Sequence, residues 1–299
     1  NGMGPYKIVN NFLSSAGENL IFGGAVASQP NAIPSDVEIR RNHFYKPLSW
    51  FSQDPSYAGI PWGVKNLIEF KVGQRILMDG NIFENNWPQA QTGYGILFKS
   101  STQNAASSWT VTRDLTFTNN IVKGMPRAVN LCPDDCPGPS QDAGWYMFKN
   151  NIFDDIDFVK YGAPGCCNGV IQMLHGANDI TFDHNTILYK DDTTGGSVFV
   201  GMEVLLSGGV PHTNFVFTNN LATKGSRADF SCNQAMSICA PNSIISNYYI
   251  TSNPSSIGFV NYNNGVGGDY HLQASSLYKN AGTDSKDLGA DVDAVLTAT

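Results

Sequence analysis

At 299 residues with only 14% charged side chains and 30 glycines, the chain suits short strands and tight turns, not long charged-surface helices. Its net charge of −7 argues against a nucleic-acid partner, which needs a clustered excess of Lys and Arg. No stretch approaches the roughly 20 apolar residues of a membrane-spanning helix, and Asn1 follows no initiator Met, charged n-region or apolar h-region, which leaves room for a leader or an upstream piece.

Taken in chain order, one short pattern returns: an apolar residue, any residue, an apolar residue, two polar or small residues, Asn, then two mainly apolar residues. It reads YKIVNNFL from Tyr6, VEIRRNHF from Val37, ILMDGNIF from Ile76 and LTFTNNIV from Leu115. It continues as YMFKNNIF from Tyr146, ITFDHNTI from Ile180 and FVFTNNLA from Phe215, with a degenerate copy, NSIISNYY, from Asn242. The anchoring residues are Asn11, Asn42, Asn81, Asn120, Asn151, Asn185, Asn220 and Asn247. The residue three before each anchor is apolar (Ile8, Ile39, Met78, Phe117, Phe148, Phe182, Phe217, Ile244), and with the residue two earlier it gives the alternation of a strand with one buried face. The Asn then stands where the strand turns a corner, since Asn tolerates the left-handed conformation and bonds local backbone. Stacked corners would let the asparagines bond one another in a ladder.

A propeller needs regular blades of about 40–45 residues and a leucine-rich horseshoe an L-x-x-L-x-L frame at about 20–29; neither fits. Variable spacing around one fixed corner fits a right-handed parallel β-helix of about eight coils, a single domain over residues 1–299, with coils over about 6–250 and loops of differing length on one face. Long insertions rich in Pro, Ser and aromatics run from Lys46 to Trp62 and from Lys99 to Trp109, and another, closed by its own cysteines, from Cys132 to Trp145. The tail, about 251–299, reads as a C-terminal cap over the open edge of the last coil.

Six cysteines fall in three couples, Cys132 with Cys136, Cys166 with Cys167, and Cys232 with Cys239. None has zinc-site spacing, and the loop-like surroundings favour disulfides and therefore an oxidising, secreted or extracellular setting. The pairing stays open, with Cys232–Cys239 expected as a local loop and Cys132 or Cys136 expected to reach Cys166 or Cys167.

These coils and the closing AGTDSKDLGADVDAV segment resemble the right-handed parallel β-helix repeat proteins of the pectate-lyase-like superfamily, over essentially the whole chain. RRNHFYKPLSW, VKNLIEFK and ENNWPQAQTG are most similar to segments of secreted β-helix proteins from soil and environmental bacteria. The resemblance implies the fold, and for function a range from lyases, hydrolases, esterases and epimerases to non-catalytic adhesins. TFDHNT resembles an Asp-His segment of pectate lyases, while MPRAVN holds one Arg where those enzymes carry a two-Arg motif. LHGAN around His175 stands alone where polygalacturonase-type hydrolases add a basic segment. NLIEFK is similar to a strand of calcium-assisted alginate and chondroitin lyases, in which an acidic or amide ligand precedes a catalytic Lys by some five residues.

Residues 40–75 carry Arg40, Arg41, Lys46, Lys65, Lys71 and Arg75 against Asp54 and Glu69, a local positive run in an acidic chain. Such a run either steers a polyanionic glycan or is a solvated face that suppresses edge pairing. Strand parity turns Glu69 and Lys71 outward if Ile68 and Phe70 face the core; Glu38 and Arg40 turn outward one coil earlier. Lys99, Asn130, Gln172 and Glu203 would extend an outward polar ridge. Trp50, Trp62, Trp87 and Trp109 could stack on sugar rings, or simply pack their loops. The expected catalytic set is Lys71, Glu69 and Arg75, with Arg40, Asn66, Trp50, Trp62 and Trp87 binding substrate. No His motif points to zinc, and His184 reads as a turn residue. Ca2+ is a candidate ligand of Asp134 and Asp135, or of Asp284, Asp287, Asp291 and Asp293, which otherwise serve turns and the cap.

Two functions follow. One is a polysaccharide-active or polysaccharide-binding protein, as an enzyme a β-eliminating lyase on a uronate-containing glycan. The other is a non-catalytic adhesin or fibre former, monomeric or assembling end to end through the uncovered edge of the first coil.

Overall fold

The computed structural model describes residues 2–25, 29–101, 106–132, 140–141, 143–165, 168–191, 195–202, 209–232 and 234–299. Three sheets, each purely parallel, are built from every third strand of the repeat, so the chain is a parallel β-helix of about eight coils. The first sheet stacks Tyr6–Val9, Ser35–Arg40, Gly73–Asp79, Thr112–Thr118, Gly144–Lys149, Asn178–Asp183, Val216–Thr218 and Ile244–Ser246. The second stacks Phe12–Ser14, His43–Tyr45, Ile82–Glu84, Ile121–Met125, Ile152–Asp157, Thr186–Lys190, Leu221–Thr223 and Tyr249–Thr251. The third stacks Leu20–Phe22, Ile68–Phe70, Tyr94–Lys99, Arg127–Cys132, Gly169–Met173 and Ser197–Val200.

Alternation decides what faces inward. Val37, Ile39, Met78, Phe117, Phe148, Phe182 and Phe217 of the first sheet are buried in one continuous core. Like residues stack on like along the axis, with Phe22 on Phe70 and Phe148 on Phe182 at centroid separations of 4.6 Å. Phe148 thereby has an aromatic neighbour in the coil before, Phe117, and in the coil after, Phe182.

Between the first and second sheets the corner asparagines form the expected ladder. Asn11, Asn42, Asn81, Asn120, Asn151 and Asn185 each donate from Nδ2 to Oδ1 of the next, ending on Asn220, at 2.8–3.1 Å. Each backbone N–H of the donor joins the same Oδ1, as Asn81 N does on Asn120 at 2.8 Å. The left-handed residue is not the ladder Asn but the one before it: Asn10, Arg41, Gly80, Asn119, Asn150, His184 and Asn219. The ladder Asn is thus free of the turn's backbone constraint and spends its amide on its neighbours.

The last coil corrects the sequence register by one residue. Thr218 pairs with Ser246 and Leu221 with Tyr249, which places Asn247 level with Asn219 and Tyr248 at the ladder position. Asn247 is left-handed and donates instead to the Ala281 carbonyl at 3.0 Å. Ile245 packs on the core, while Ile244, read from sequence as the inward residue, points out at 56% exposure.

The C-terminal segment packs along the side of the solenoid. Ile257, Phe259, Tyr270, Leu288, Val292 and Val295 bury the outward faces of Ile152, Leu188 and Leu221 on the second sheet. The strap is tied to the corner row by the Gly289 N–H on Asn219 O at 2.7 Å and the Asp291 N–H on Asn150 Oδ1 at 2.6 Å. Its last helix, Val292–Ala298, reaches back to coil 3, where the Ala298 carbonyl sits against Gly80 and leaves no room for a side chain.

Cys232 and Cys239 form a disulfide across 7 residues. Cys132 is also disulfide-bonded; Cys136, Cys166 and Cys167 lie outside the described residues. No helix among the described residues is long and apolar enough to cross a membrane.

Candidate functional site

The outer face of the third sheet gathers the chemistry. In strand Ile68–Phe70 the two end residues are buried in the core, so Glu69 projects outward, and Lys71 follows at the strand end. Register places Ile21, Glu69, Leu97, Asn130, Gln172 and Val200 in one outward row. One residue beyond the Phe70–Phe98 pair, Lys71 lies level with Lys99, and Lys99 with Cys132. Three members of that row are polar, Glu69, Asn130 and Gln172, and Leu97 separates Glu69 from the other two; Asn130 Nδ2 donates to Gln172 Oε1. Glu203 lies outside the described residues.

Although it faces outward, Glu69 is only 2% exposed. Lys71 Nζ closes over it at 2.8 Å, and the Gln91 amide reaches its other oxygen at 3.4 Å. The Gln91 carbonyl oxygen in turn accepts the backbone N–H of Asn66 at 2.9 Å. Lys99 shares the same field. Burial pushes its pKa below the ordinary lysine value, the Lys71 charge pushes it further down, and Glu69 opposes both. Glu69 thus pairs with Lys71 beside a second lysine that gives up its proton more readily. Arg127, at the start of its strand, is fixed by Asn168 Oδ1 at 2.6 Å and lies 5.7 Å from the Tyr94 ring centre.

The other expected residues do not converge here. Arg75 and Arg40 belong to the first sheet, where Arg75 pairs with Asp36 at 2.7 Å and Arg40 with Asp79 at 2.7 Å. Asn66 is buried, and Trp87 is buried against Phe51 and so cannot stack on a ligand. Trp50 and Trp62 form a tilted pair 5.3 Å apart on the coil-2 loop between the second and third sheets, with Trp62 exposed. The local positive run is not a patch in space: Lys65 pairs with Glu18, and Lys46 is fully buried. Lys46 Nζ donates into the turn of the first coil, to the carbonyls of Ser15 at 2.8 Å and Gly17 at 2.6 Å and to Asn19 Oδ1 at 2.9 Å.

Of the acidic residues considered for Ca2+, Asp134 and Asp135 lie outside the described residues. In the strap, Asp287 pairs with Lys279, Asp291 caps the last helix and Asp293 lies 3.3 Å from His271. Among the described residues no three His, Cys, Asp or Glu side chains group to hold a metal.

Sequence reasoning placed Lys99 on the ridge but gave it no role. The usable signal was the repeated Phe-Lys of EFK and LFK, which sets Lys71 and Lys99 at one position of successive coils. A second cluster was missed altogether: His43 Nε2 lies 2.8 Å from Glu84 on the second sheet, with Lys123 at 3.5 Å from the same oxygen. The His43 contact, the largest of several, lowers the Glu84 pKa. Neither a protein-family model nor a curated protein nor a solved structure matches this chain.

Proposed function

We propose that this β-helix works outside the cell on an acidic, uronate-containing polysaccharide, as a β-eliminating lyase of the pectate-lyase-like kind, with its site on the outer face of the third sheet. One observation carries this reading: Lys71 and Lys99 stand on adjacent rungs beside the buried Glu69 carboxylate. Elimination needs a base for the C5 proton and positive charge on the adjoining carboxylate. Lys99, with its lowered proton affinity, supplies the base. Lys71, positioned by its ion pair with Glu69, neutralises the sugar carboxylate and stabilises the negative charge that develops as C5–H breaks. The C4–O bond then breaks, C4=C5 forms, and the proton returns to the departing oxygen. Asn130, Gln172 and Arg127 offer hydrogen bonds along the same face. The disulfides support an oxidising compartment. A panel of uronate glycans assayed with and without Ca2+ for unsaturated products tests the reading, with Lys99→Ala expected to lose about 10²–10⁴-fold in rate.

End-to-end self-assembly is the second reading, supported by the first coil, whose inward residues Tyr6, Ile8 and Leu13 are only partly buried. Tyr248 at the opposite ladder position weighs against a head-to-tail stack, because no Asn there continues the ladder. Sedimentation over a range of concentrations separates a monomer from such a stack.

A further inference from the structure

The three sheets carry unequal charge. The strands of the first include Asp36, Glu38, Asp79, Asp114, Asp179 and Asp183, and those of the second Glu84, Asp154, Asp155 and Asp157. In the strands of the third the one acid is Glu69, against Lys99 and Arg127, with Lys71 adjoining. It is the sheet whose strands carry more cations than acids, in a chain of net charge −7.

Arg127 opens its strand at the end away from Lys99. It is level with Tyr94, and Cys132 is level with Lys99, so the two cations stand about 16 Å apart along the strand at roughly 3.3 Å per residue. The arginines of the first sheet are spent on carboxylates: Arg40 on Asp79, Arg75 on Asp36, and Arg113 on Asp114 at 3.6 Å. Among the described residues Arg127 meets no carboxylate; its partners are neutral oxygens. Nε and Nη2 both donate to Asn168 Oδ1, at 3.1 and 2.6 Å, and Nη1 donates to the Thr92 carbonyl. Asn168 is 1% exposed, and its Nδ2 is committed to the carbonyls of Ala163 and Gly165, each at 2.9 Å, which turns its oxygen toward the guanidinium.

A guanidinium bears one N–H on Nε and a pair on each terminal nitrogen. The bonds to Asn168 and Thr92 therefore leave one N–H on Nη1 and one on Nη2, together with a positive charge that nothing beside it matches. Two such donors fit the two oxygens of a carboxylate. Arg127 is half-buried and Thr92 beside it is exposed, so this fork stands at the surface.

The geometry points to Arg127 as a carboxylate-binding subsite, at which a second uronate of the glycan docks while the reacting sugar lies at Lys71 and Lys99. The inference rests on the acidic-polysaccharide reading of the third sheet and narrows it to chains that carry several uronates, not one uronate among neutral sugars.

The test is calorimetric titration of the intact protein with oligogalacturonates and oligomannuronates of increasing length, and with their carboxyl-reduced counterparts. Wild-type affinity for one acidic series should rise about 10- to 100-fold at the length that spans both sites, the size of a hydrogen bond to a charged group. Arg127→Gln should lose that rise and keep the affinity for shorter oligomers. Arg127→Lys, with the charge but no planar fork, should keep part of it. An Arg127 that merely ties neighbouring coils together would lower the melting temperature and leave the length dependence in place. The inference is overturned if Arg127→Gln keeps the rise, if it weakens short and long oligomers alike, or if reduced oligomers bind as well as acidic ones. Wild type that releases unsaturated products but shows no Arg127-dependent rise sinks this inference alone. Wild type that binds no acidic oligomer sinks the polysaccharide reading with it.

Discussion

Two lysines of this chain sit in opposite predicaments. Lys46 is fully buried and surrounded by carbonyl oxygens, and burial pulls its pKa down to about 7 while Glu18 opposes the shift. Replacing it by Met strands those carbonyls and the Asn19 side chain, and should cost on the order of 3 kcal/mol in a denaturant titration. An unfolded chain keeps this lysine protonated up to about pH 10.4. Between the folded and unfolded values the unfolded state binds more protons, so this residue makes folding more favourable as pH rises through that window. The stability gap between wild type and Lys46→Met should therefore widen from neutral to alkaline pH; a narrowing gap contradicts the assignment. Lys99 is lowered by burial and by its neighbour's charge but is only half-buried. If it is the base, the rate climbs with pH as it loses its proton. Glu69→Gln, removing the charge that opposes the shift, should move that climb to lower pH, and Lys71→Ala should move the residual activity's climb to higher pH. Neither lysine's environment was legible in the sequence. Lys46 and Lys71 read alike as members of one positive run, because sequence proximity says nothing about which lysine a preceding coil encloses.

At the level of elements, the corner row explains both what the sequence revealed and where it misled. Seven copies keep an Asn in one frame because each spends its amide on the coil beside it, a geometry that tolerates few other side chains. The eighth copy lies where no further coil demands the ladder, and Ser-Ile-Ile-Ser offers two adjacent Ile residues with no alternation to show which faces in. The register therefore slipped by one when read from sequence. Position along the row should also set mutational cost. Asn120 is fully buried, accepts from Asn81 and donates to Met78 O and Asn151, so Asn120→Ala should cost about 2–4 kcal/mol. Asn11, exposed at the end of the row, should cost less than about 1 kcal/mol by the same measurement. Equal losses would mean that the ladder is decoration on a fold held by its phenylalanines.

The molecule as a whole is a solenoid whose second sheet would be greasy without its strap. Val295 is fully buried there, so Val295→Ala should cost about 1–3 kcal/mol. That cost should appear in hydrogen exchange as earlier opening of the strap, with the coils' protection unchanged. The alternating coils were readable because the repeat states them many times. The strap was readable only as a tail, since its partners Ile152, Leu188 and Leu221 lie on the outward parity of distant coils. The candidate site was half readable for a related reason: parity exposed Glu69 and Lys71, but bringing Lys99 beside them required knowing the register of the third sheet. That register also leaves Arg75 and Arg40 paired on the first sheet, away from the lysines. The most direct test is ultraviolet absorbance of unsaturated uronate products when purified wild type, Lys99→Ala and Lys71→Ala are given a panel of uronate polysaccharides. The account predicts that wild type generates the absorbance on at least one glycan and that both folded variants lose it by orders of magnitude. Wild type that cleaves none of the panel, or variants that cleave as fast as wild type, would contradict it.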